Sequence, residues 1–230
     1  YIKSFPDGKG MATRYIEVPL MGGPARDVMI DEGCGSAHCP HSPVDSDWVL
    51  TDRDLPPNYW GGGDDMKSPR CWSWQLSTNT LTALPPNAPK KFQVHAAWTW
   101  DGDYIVYHGM DAPADSTNWD DWTWYVGVIR PNGERLREWV LPAAPHYGHV
   151  SAAANRPAII LDGHFSKDKL RWLYYDADEY RLEDICCHDS TWDSLPGQLT
   201  HPHPSTDKAG KYIAFNTARD AHSEVWLVTV

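Results

Sequence analysis

Three histidines recur at a constant interval along the chain. They are His95, His149 and His203, and His38 or His41 precedes an earlier copy in nearly the same phase. A neutral imidazole can bind a divalent metal ion, and it can act as a base near neutral pH. Equivalent positions of a repeat meet in space when the repeats are arranged around a common axis. The spacing therefore predicts a ring of histidines that can hold a metal ion or move a proton.

A further histidine lies two positions before the last member of this series, in the segment 198–204. In an extended strand His201 and His203 point to the same side, and the prolines that follow each of them favour an extended backbone. Together with Gln198, and with His149 from the neighbouring repeat, they make a set of four neutral nitrogen and oxygen ligands. Such a set suits manganese, iron, cobalt, nickel or zinc rather than calcium or copper(I).

The remaining candidate metal ligands are weaker. Cys34, Cys39, His38 and His41 could alternatively form a zinc knuckle. The spacing of these four residues fits no common zinc finger. Five other histidines fall out of phase with the series, and we interpret them as surface or hydrogen-bonded residues: His108, His146, His164, His188 and His222. The five cysteines form no even framework, which predicts mainly reduced thiols.

The elements that must position these side chains are short strands. Strand-like runs such as 103–107, 122–129 and 211–215 are separated by Gly, Pro, Asn and Asp, and helical periodicity is sustained nowhere. The interval between the histidines recurs at the turns that follow them, at Gly102 and Gly210 and more weakly at Arg156. Long repeats that contain hairpin turns are typical of propeller blades. The predicted fold is therefore all-β, a β-propeller.

The length sets the number of blades. At about 40 to 55 residues a blade, 230 residues provide roughly four to five blades. We expect a single β-propeller domain over residues 1–230 that lacks N-terminal blades. An open arc of this kind would expose sheet edges, so we expect either self-association or a missing N-terminal segment to cover them.

Composition excludes some classes of partner. With 41% hydrophobic residues the chain can form a core, and its net charge of −11 disfavours nucleic acid or an anionic membrane as a partner. No apolar run approaches the ~18 residues of a membrane span. The first twenty residues lack the apolar stretch of a signal peptide. We expect a cytoplasmic location, with a periplasmic or secreted one as the alternatives because the chain begins with Tyr1 rather than Met.

Several motifs together resemble one family. The segment 198–204 with the strand 210–215 and the closing run 224–228 is similar to the C-terminal blade of the oligogalacturonate lyases. The same resemblance extends to three further elements, which are Gly148-His149 followed by Asp162-Gly163, Arg70-Cys71-Trp72, and His95 with Trp98 and Asp101-Gly102. The Gln-x-x-His-Pro-His element is quite specific, whereas Asp-Gly turns occur in many propellers.

The resemblance implies a seven-bladed propeller that carries manganese, of which this chain supplies part. By resemblance, the metal ligands are His149, Gln198, His201 and His203, and zinc, iron, cobalt and nickel are the alternative ions. His95 is the Brønsted base, and Arg70, which precedes it at the spacing of that family, engages a substrate carboxylate as a catalytic and substrate-binding residue. His38 contributes to substrate binding. The partner implied is an acidic oligosaccharide.

The chemistry of these residues agrees with that activity. β-Elimination beside a uronate removes the proton α to a carboxylate, and the negative charge that develops requires a cation already in position. The sequence departs from the family's motifs in two places, so the identity of the substrate stays open. Asp52-Arg53-Asp54 replaces the family's usual His-Glu-Gly, and the third repeat lacks its Asp-Gly turn. The alternatives are a lyase for another acidic polysaccharide, such as ulvan, and a propeller that binds without catalysis.

Overall fold

The protein folds into consecutive antiparallel sheets. The computed structural model describes residues 2–4, 11–32, 36, 38–53, 69–84, 92–111, 122–141, 148–163, 168–190, 200–219 and 222–230. Within these ranges the chain forms seventeen strands and no helix, so the prediction of an all-β chain is confirmed. None of the described residues belongs to a helix long and apolar enough to cross a membrane.

Each sheet is a meander, because every strand pairs with its neighbours in sequence. The first sheet consists of β1 (Ile2–Ser4), β2 (Met11–Glu17) and β3 (Arg26–Glu32), and the second of β4 (Trp48–Asp52), β5 (Cys71–Gln75) and β6 (Thr80–Ala83). The third consists of β7 (Phe92–Trp98), β8 (Ile105–Asp111), β9 (Thr123–Ile129) and β10 (Arg135–Leu141). The fourth consists of β11 (Val150–Ala152), β12 (Ala158–Leu161), β13 (Lys169–Tyr174) and β14 (Arg181–Cys187), and the fifth of β15 (Ser205–Thr206), β16 (Tyr212–Arg219) and β17 (His222–Thr229).

The first strands of successive sheets meet one another. β4 contacts β7, β7 contacts β11, and β11 contacts β15. Radially arranged blades with their first strands innermost give this pattern of contacts. Residues just before or within these strands therefore face a shared space, and the recurring histidines lie at those positions.

Each sheet packs face to face on the next, and the interfaces form the core. Both faces of β8 are apolar, because each packs against a neighbouring sheet. Ile105 and Tyr107 pack towards the second sheet, whereas Val106 and Met110 pack towards the fourth, and all four are buried. A strand covered on both faces is a continuous apolar run rather than an alternating one. Sheet packing of this kind fixes the relative positions of the blades to which the site residues belong.

The two terminal sheets each present an exposed apolar face. On β17 the side chains of Val225 and Leu227 are 71% and 70% exposed, and on β3 Ile30 is 55% exposed. No other described sheet packs on these residues. The five sheets that the described residues form agree with the four to five blades that the period predicts. What covers the exposed faces stays a prediction.

Candidate active site

Four of the predicted histidines come together in the structure. Neighbouring imidazole rings have centroids 5.7 Å apart for His38 and His95, 5.1 Å apart for His95 and His149, and 3.8 Å apart for His149 and His203. His95 lies in β7, the first strand of the third sheet, whereas the other three lie in the segments that precede the first strands of the second, fourth and fifth sheets. The expected convergence of the histidines is therefore observed. It follows from the equivalent phase of these residues in successive blades.

His95 is aimed by an irregularity in its own strand. The register between β7 and β8 shifts between Gln93 and His95, so that Val94 is an extra residue in the ladder and His95 lies opposite His108. Bulges of this kind re-aim the side chain that follows them. Here the Nδ1 atom of His95 lies 3.3 Å from Nε2 of His108, and the two rings are stacked.

His149 is held by a buried carboxylate. The Asp162 side chain follows β12 directly and is fully buried; it accepts a hydrogen bond from the backbone N–H of His149, and its Oδ2 lies 2.9 Å from Nδ1 of the same residue. The backbone N–H of His203, in the next blade, donates to the same oxygen at 3.2 Å. Because an ionised carboxylate only accepts, this contact favours the tautomer of His149 with its hydrogen on Nδ1, which is the tautomer whose Nε2 can bind a metal ion.

Three histidines have the arrangement of a metal site. One ring nitrogen from each of His149, His201 and His203 lies within 4.8 Å of the others. Among the described residues, this group alone has three or more metal-ligating side chains close enough to share an ion. The predicted fourth ligand, Gln198, lies outside the described residues, as does Cys34 of the alternative zinc knuckle.

The backbone around His203 differs from the expected extended strand. His203 has a φ of 43°, in the left-handed region, although a proline follows it. The two rings of His201 and His203 still lie 5.8 Å apart and nearly parallel. Asp162 and Asn216 stabilise this conformation, since Asp162 accepts from the backbone N–H of His203 and the backbone N–H of Asn216 donates to the carbonyl of Pro202 at 2.7 Å. A strained backbone that neighbouring groups over-determine is typical of functional sites.

Arg70 is part of a buried ion pair. Its side chain is 4% exposed; one nitrogen lies 2.8 Å from Oδ2 of Asp52, and another donates to the backbone carbonyl of Val94. The same Oδ2 lies 2.8 Å from Nδ1 of His38, whose side chain is 54% exposed. Burial acts to raise the pKa of Asp52, but the hydrogen bond from His38 and the charge of Arg70 outweigh it and hold that pKa well below its usual range. Asp52 is therefore ionised, and it orients both Arg70 and His38.

One cavity of about 490 Å³ is lined by four of these histidines, His38, His95, His149 and His203, and by Asp52 and Arg70. Its described lining comprises His38, Cys39, Pro40, Leu50, Thr51, Asp52, Arg70, Cys71, His95, Ala96, His149, Val150 and His203. The volume falls in the range of small-ligand sites. The charges of Asp52 and Arg70 cancel, so the described lining has no net positive charge of its own. An anionic ligand in this cavity would need an added cation.

Two of the cavity histidines are neutral at pH 7. Burial lowers the pKa of His95 to about 2, and the neighbouring His149 and Arg70 act in the same direction. Burial also lowers the pKa of His203 to about 4, with a further contribution from His149. A neutral imidazole is the form that accepts a proton, and it is also the form that binds a metal ion. His95 and His203 are therefore in the form that their predicted roles require.

These shifts predict how the metal-free protein responds to acid. An unfolded imidazole binds a proton below about pH 6.5, whereas the folded His95 does so only at far lower pH, so the free energy of unfolding should fall as the pH decreases below about 6.5. The slope should approach about 1.4 kcal/mol per pH unit for one such group. Urea denaturation in the presence of a chelator at about pH 7 and about pH 5 measures it. A shallower slope is expected for His95→Gln, and an equal slope in both proteins would contradict the assignment.

Sequence reasoning missed three important side chains. The sequence places His108 among the surface or hydrogen-bonded histidines and gives it no role; it is of the hydrogen-bonded kind, fully buried, with its Nε2 3.3 Å from Nδ1 of His95. Asp162 and Asp52 were noted only as motif residues, yet each holds a cavity histidine. A signal was present, because His108 and Asp162 follow His95 and His149 at the same interval, and Asp52 follows His38 only one position later than that interval.

Comparison with known proteins agrees with the motifs. No family model matches the chain. It is 24% identical over 231 aligned positions to the oligogalacturonide lyase of Pectobacterium atrosepticum, an alignment that covers 94% of this chain and 55% of that protein. It is 23% identical over 180 positions to the oligogalacturonate lyase of Dickeya dadantii, an alignment that covers 74% of this chain and 45% of that protein. The chain thus spans about half the length of the curated relatives it matches.

Solved structures show the same fold. An oligogalacturonate lyase in complex with manganese superposes with a TM-score of 0.71 at 19% identity, over 96% of this chain and 55% of that one. The oligogalacturonate lyase of Vibrio parahaemolyticus superposes with a TM-score of 0.68 at 20% identity, with the same coverage. The acylaminoacyl peptidase of Pyrococcus horikoshii superposes with a TM-score of 0.61 at 11% identity, over 98% of this chain and 35% of that one. The β-propeller fold is confirmed, as is the resemblance to the oligogalacturonate lyases.

Proposed function

We propose that this chain carries the active site of a metal-dependent lyase that cleaves oligogalacturonates by β-elimination. The observation that carries the proposal is the position of His95, a neutral imidazole 5.1 Å from the ring of His149 in a cavity that is also lined by His149 and His203 of the three-histidine group. A base beside a cation site is what proton removal next to a carboxylate requires. The similarity to relatives named as oligogalacturonide and oligogalacturonate lyases supports the substrate class.

The donor set fits a divalent transition metal. His149, His201 and His203 offer three neutral imidazole nitrogens, with Gln198 as the predicted fourth ligand. Imidazole ligands disfavour calcium and magnesium, which prefer oxygen, and permit manganese, iron, cobalt, nickel or zinc. Manganese is the ion we propose, because one similar solved structure is a manganese complex. When bound, the ion supplies positive charge that polarises the uronate carboxylate and acidifies its α-proton.

The chain's own residues then carry out the proton transfer. His95 accepts the α-proton of the uronate on its Nε2, since its Nδ1 faces His108. The electron pair of that C–H bond becomes a C=C double bond, the bond from the β-carbon to the glycosidic oxygen breaks, and the departing oxygen takes up a proton. The products are a shortened oligomer and a uronide that is unsaturated at its new non-reducing end. A positioned base contributes about 10²–10⁴-fold to such a step.

Substrate anions must be bound locally, because the whole chain has a net charge of −11. We propose that Arg70, which lines the cavity, holds a substrate carboxylate, while Asp52 fixes the orientation of the guanidinium. His38, half-exposed at the same cavity, is placed to contact an adjoining sugar. The direct test is to incubate the chain with Mn²⁺ and di- and trigalacturonate, and to follow the ultraviolet absorbance of the unsaturated product.

The outcomes of this test separate the candidate functions. Product from galacturonate oligomers supports the proposal, and product from other uronates alone, such as ulvan fragments, would reassign the substrate. If no uronate yields product and the purified chain binds no Mn²⁺, the protein is a binding scaffold and the lyase proposal is wrong. Elemental analysis of the same preparation provides the second measurement.

Asp162 should control the affinity for the metal ion. We expect Asp162→Asn to weaken Mn²⁺ binding about 10- to 100-fold, because His149 loses the acceptor that fixes its tautomer and His203 loses the bond to its backbone N–H. Isothermal titration with Mn²⁺ measures the effect. Asp103→Asn, an exposed turn residue with the same change of charge, is the matched control. Equal affinity in the two variants would exclude this role for Asp162.

A further inference from the structure

The cavity histidines have partners that repeat with the same period as the histidines themselves. His108, Asp162 and Asn216 are evenly spaced along the chain, and they follow His95, His149 and His203 at one constant interval. Asp52 holds the corresponding place after His38, one position later than that interval. The partner position is thus a structural feature of the blade, and aspartate, histidine or asparagine occupies it in the four blades.

In two blades the partner is a carboxylate with the same pair of contacts. Asp52 accepts from the backbone N–H of His38 at 3.0 Å and lies 2.8 Å from its Nδ1, and Asp162 makes the corresponding contacts with His149. In the last blade Asn216 instead donates from its side chain to the carbonyl of His201. A carboxylate can only accept, so it leaves its histidine one tautomer.

The blade of His95 is the exception, because its partner is a second imidazole. His108 is fully buried in β8; its ring lies 5.4 Å from that of His95, and its Nε2 lies 3.3 Å from Nδ1 of His95. The interplanar angle of 26° gives stacking as well as a nitrogen–nitrogen contact. Because β8 is packed on both faces, His108 cannot move away, and the orientation of the His95 ring is restricted with it.

We propose that His108 is a positioning residue for His95. Its Nε2 accepts the Nδ1–H of His95, which leaves the Nε2 lone pair of His95 directed at the cavity. The other tautomer of His95 would present an N–H to the substrate and could not accept a proton there. The hydrogen bond persists through the reaction, since the proton taken from the substrate arrives on the opposite ring nitrogen. This inference rests on the proposed role of His95 as the base.

Two buried replacements provide the kinetic test. His108→Leu fills the volume but removes the acceptor, whereas His108→Asn keeps an amide oxygen, and Asn216 shows that the equivalent position accepts an amide. We expect His108→Leu to lower kcat about 10- to 100-fold with KM changed little, and His108→Asn to recover much of the loss. Mn²⁺ affinity should be unchanged in both. A parallel fall in kcat and Mn²⁺ affinity, with no recovery in His108→Asn, would indicate a packing role and overturn the proposal.

A spectroscopic test does not depend on activity. The ¹⁵N shifts of His95 in the metal-free, isotope-labelled chain report which ring nitrogen bears the hydrogen. We expect the Nδ1–H form in the wild-type protein and a shift towards Nε2–H in His108→Leu. Unchanged shifts would refute the positioning role even in an active enzyme. If the wild-type chain eliminates no uronate while the His95 shifts respond to the substitution, the proposed function fails and the positioning role stands.

Discussion

Replacing His95 with glutamine should lower kcat for uronate elimination by about 10²–10⁴-fold, the contribution of a positioned general base. Glutamine keeps a polar side chain of similar length but has no nitrogen that accepts a proton near neutral pH. His95 is neutral in the folded protein, because burial lowers its pKa to about 2, so the substitution removes no charge from the cavity. Initial rates from the ultraviolet absorbance of the product measure the effect.

The interpretation of that result depends on an intact site. Mn²⁺ affinity and the midpoint of thermal unfolding should remain close to the wild-type values in His95→Gln. His222→Gln is the matched control, since His222 is an exposed residue of β17 and does not line the cavity. If His95→Gln keeps more than about a tenth of the wild-type kcat, a different group is the base.

Removal of the metal ion should abolish activity to a similar or greater extent. In the proposed mechanism a bound ion would stabilise the developing charge by several kcal/mol, which corresponds to about 10³-fold or more in rate. The described cavity lining offers no substitute, because the charge of Arg70 is balanced by Asp52. Activity after chelation should return on addition of Mn²⁺, whereas His149→Ala should stay inactive at the Mn²⁺ concentration that restores the wild type.

Binding can be measured separately from catalysis. Mn²⁺ at about one hundred times its Kd should stabilise the wild-type fold by about 2.7 kcal/mol. The same Mn²⁺ concentration should stabilise the fold of His149→Ala much less. His222→Ala should respond like the wild type, because it lies outside the three-histidine group. Full activity in a chelated preparation that contains no metal by elemental analysis would contradict the metal-dependent mechanism.

The architecture could be predicted because the repeat is visible in the sequence. The turns at Gly102 and Gly210 have φ values of 73° and 64°, in the region that favours glycine, and they mark equivalent places in two blades. The alternation of apolar runs with turn residues was sufficient to predict short strands. The sheet boundaries, and the face of β8 that packs against each neighbour, depended on pairing between strands.

The candidate site was predictable only in part. The convergence of His95, His149 and His203 follows from their phase, since equivalent residues of successive blades face the same space. The partners of these histidines recur at a constant interval in the sequence, but which atoms meet depends on the register between the strands. The bulge at Val94 decides that His95 lies opposite His108. Even an ideal strand pattern does not reveal one extra residue in a ladder.

The sequence by itself determined the repeating sheets, the recurring histidines and the imidazole type of the three described metal-ligand candidates, because these depend on residue type and on local spacing. Tertiary structure alone decided that Asp52 neutralises Arg70, that Asp162 joins two blades through His149 and His203, and that His108 contacts His95. Such contacts form between sheets or across a shifted register. The packing of the blades brings together Asp162 and His203, which are 41 residues apart, whereas strand pairing within a sheet brings Asp52 to Arg70 and His95 to His108.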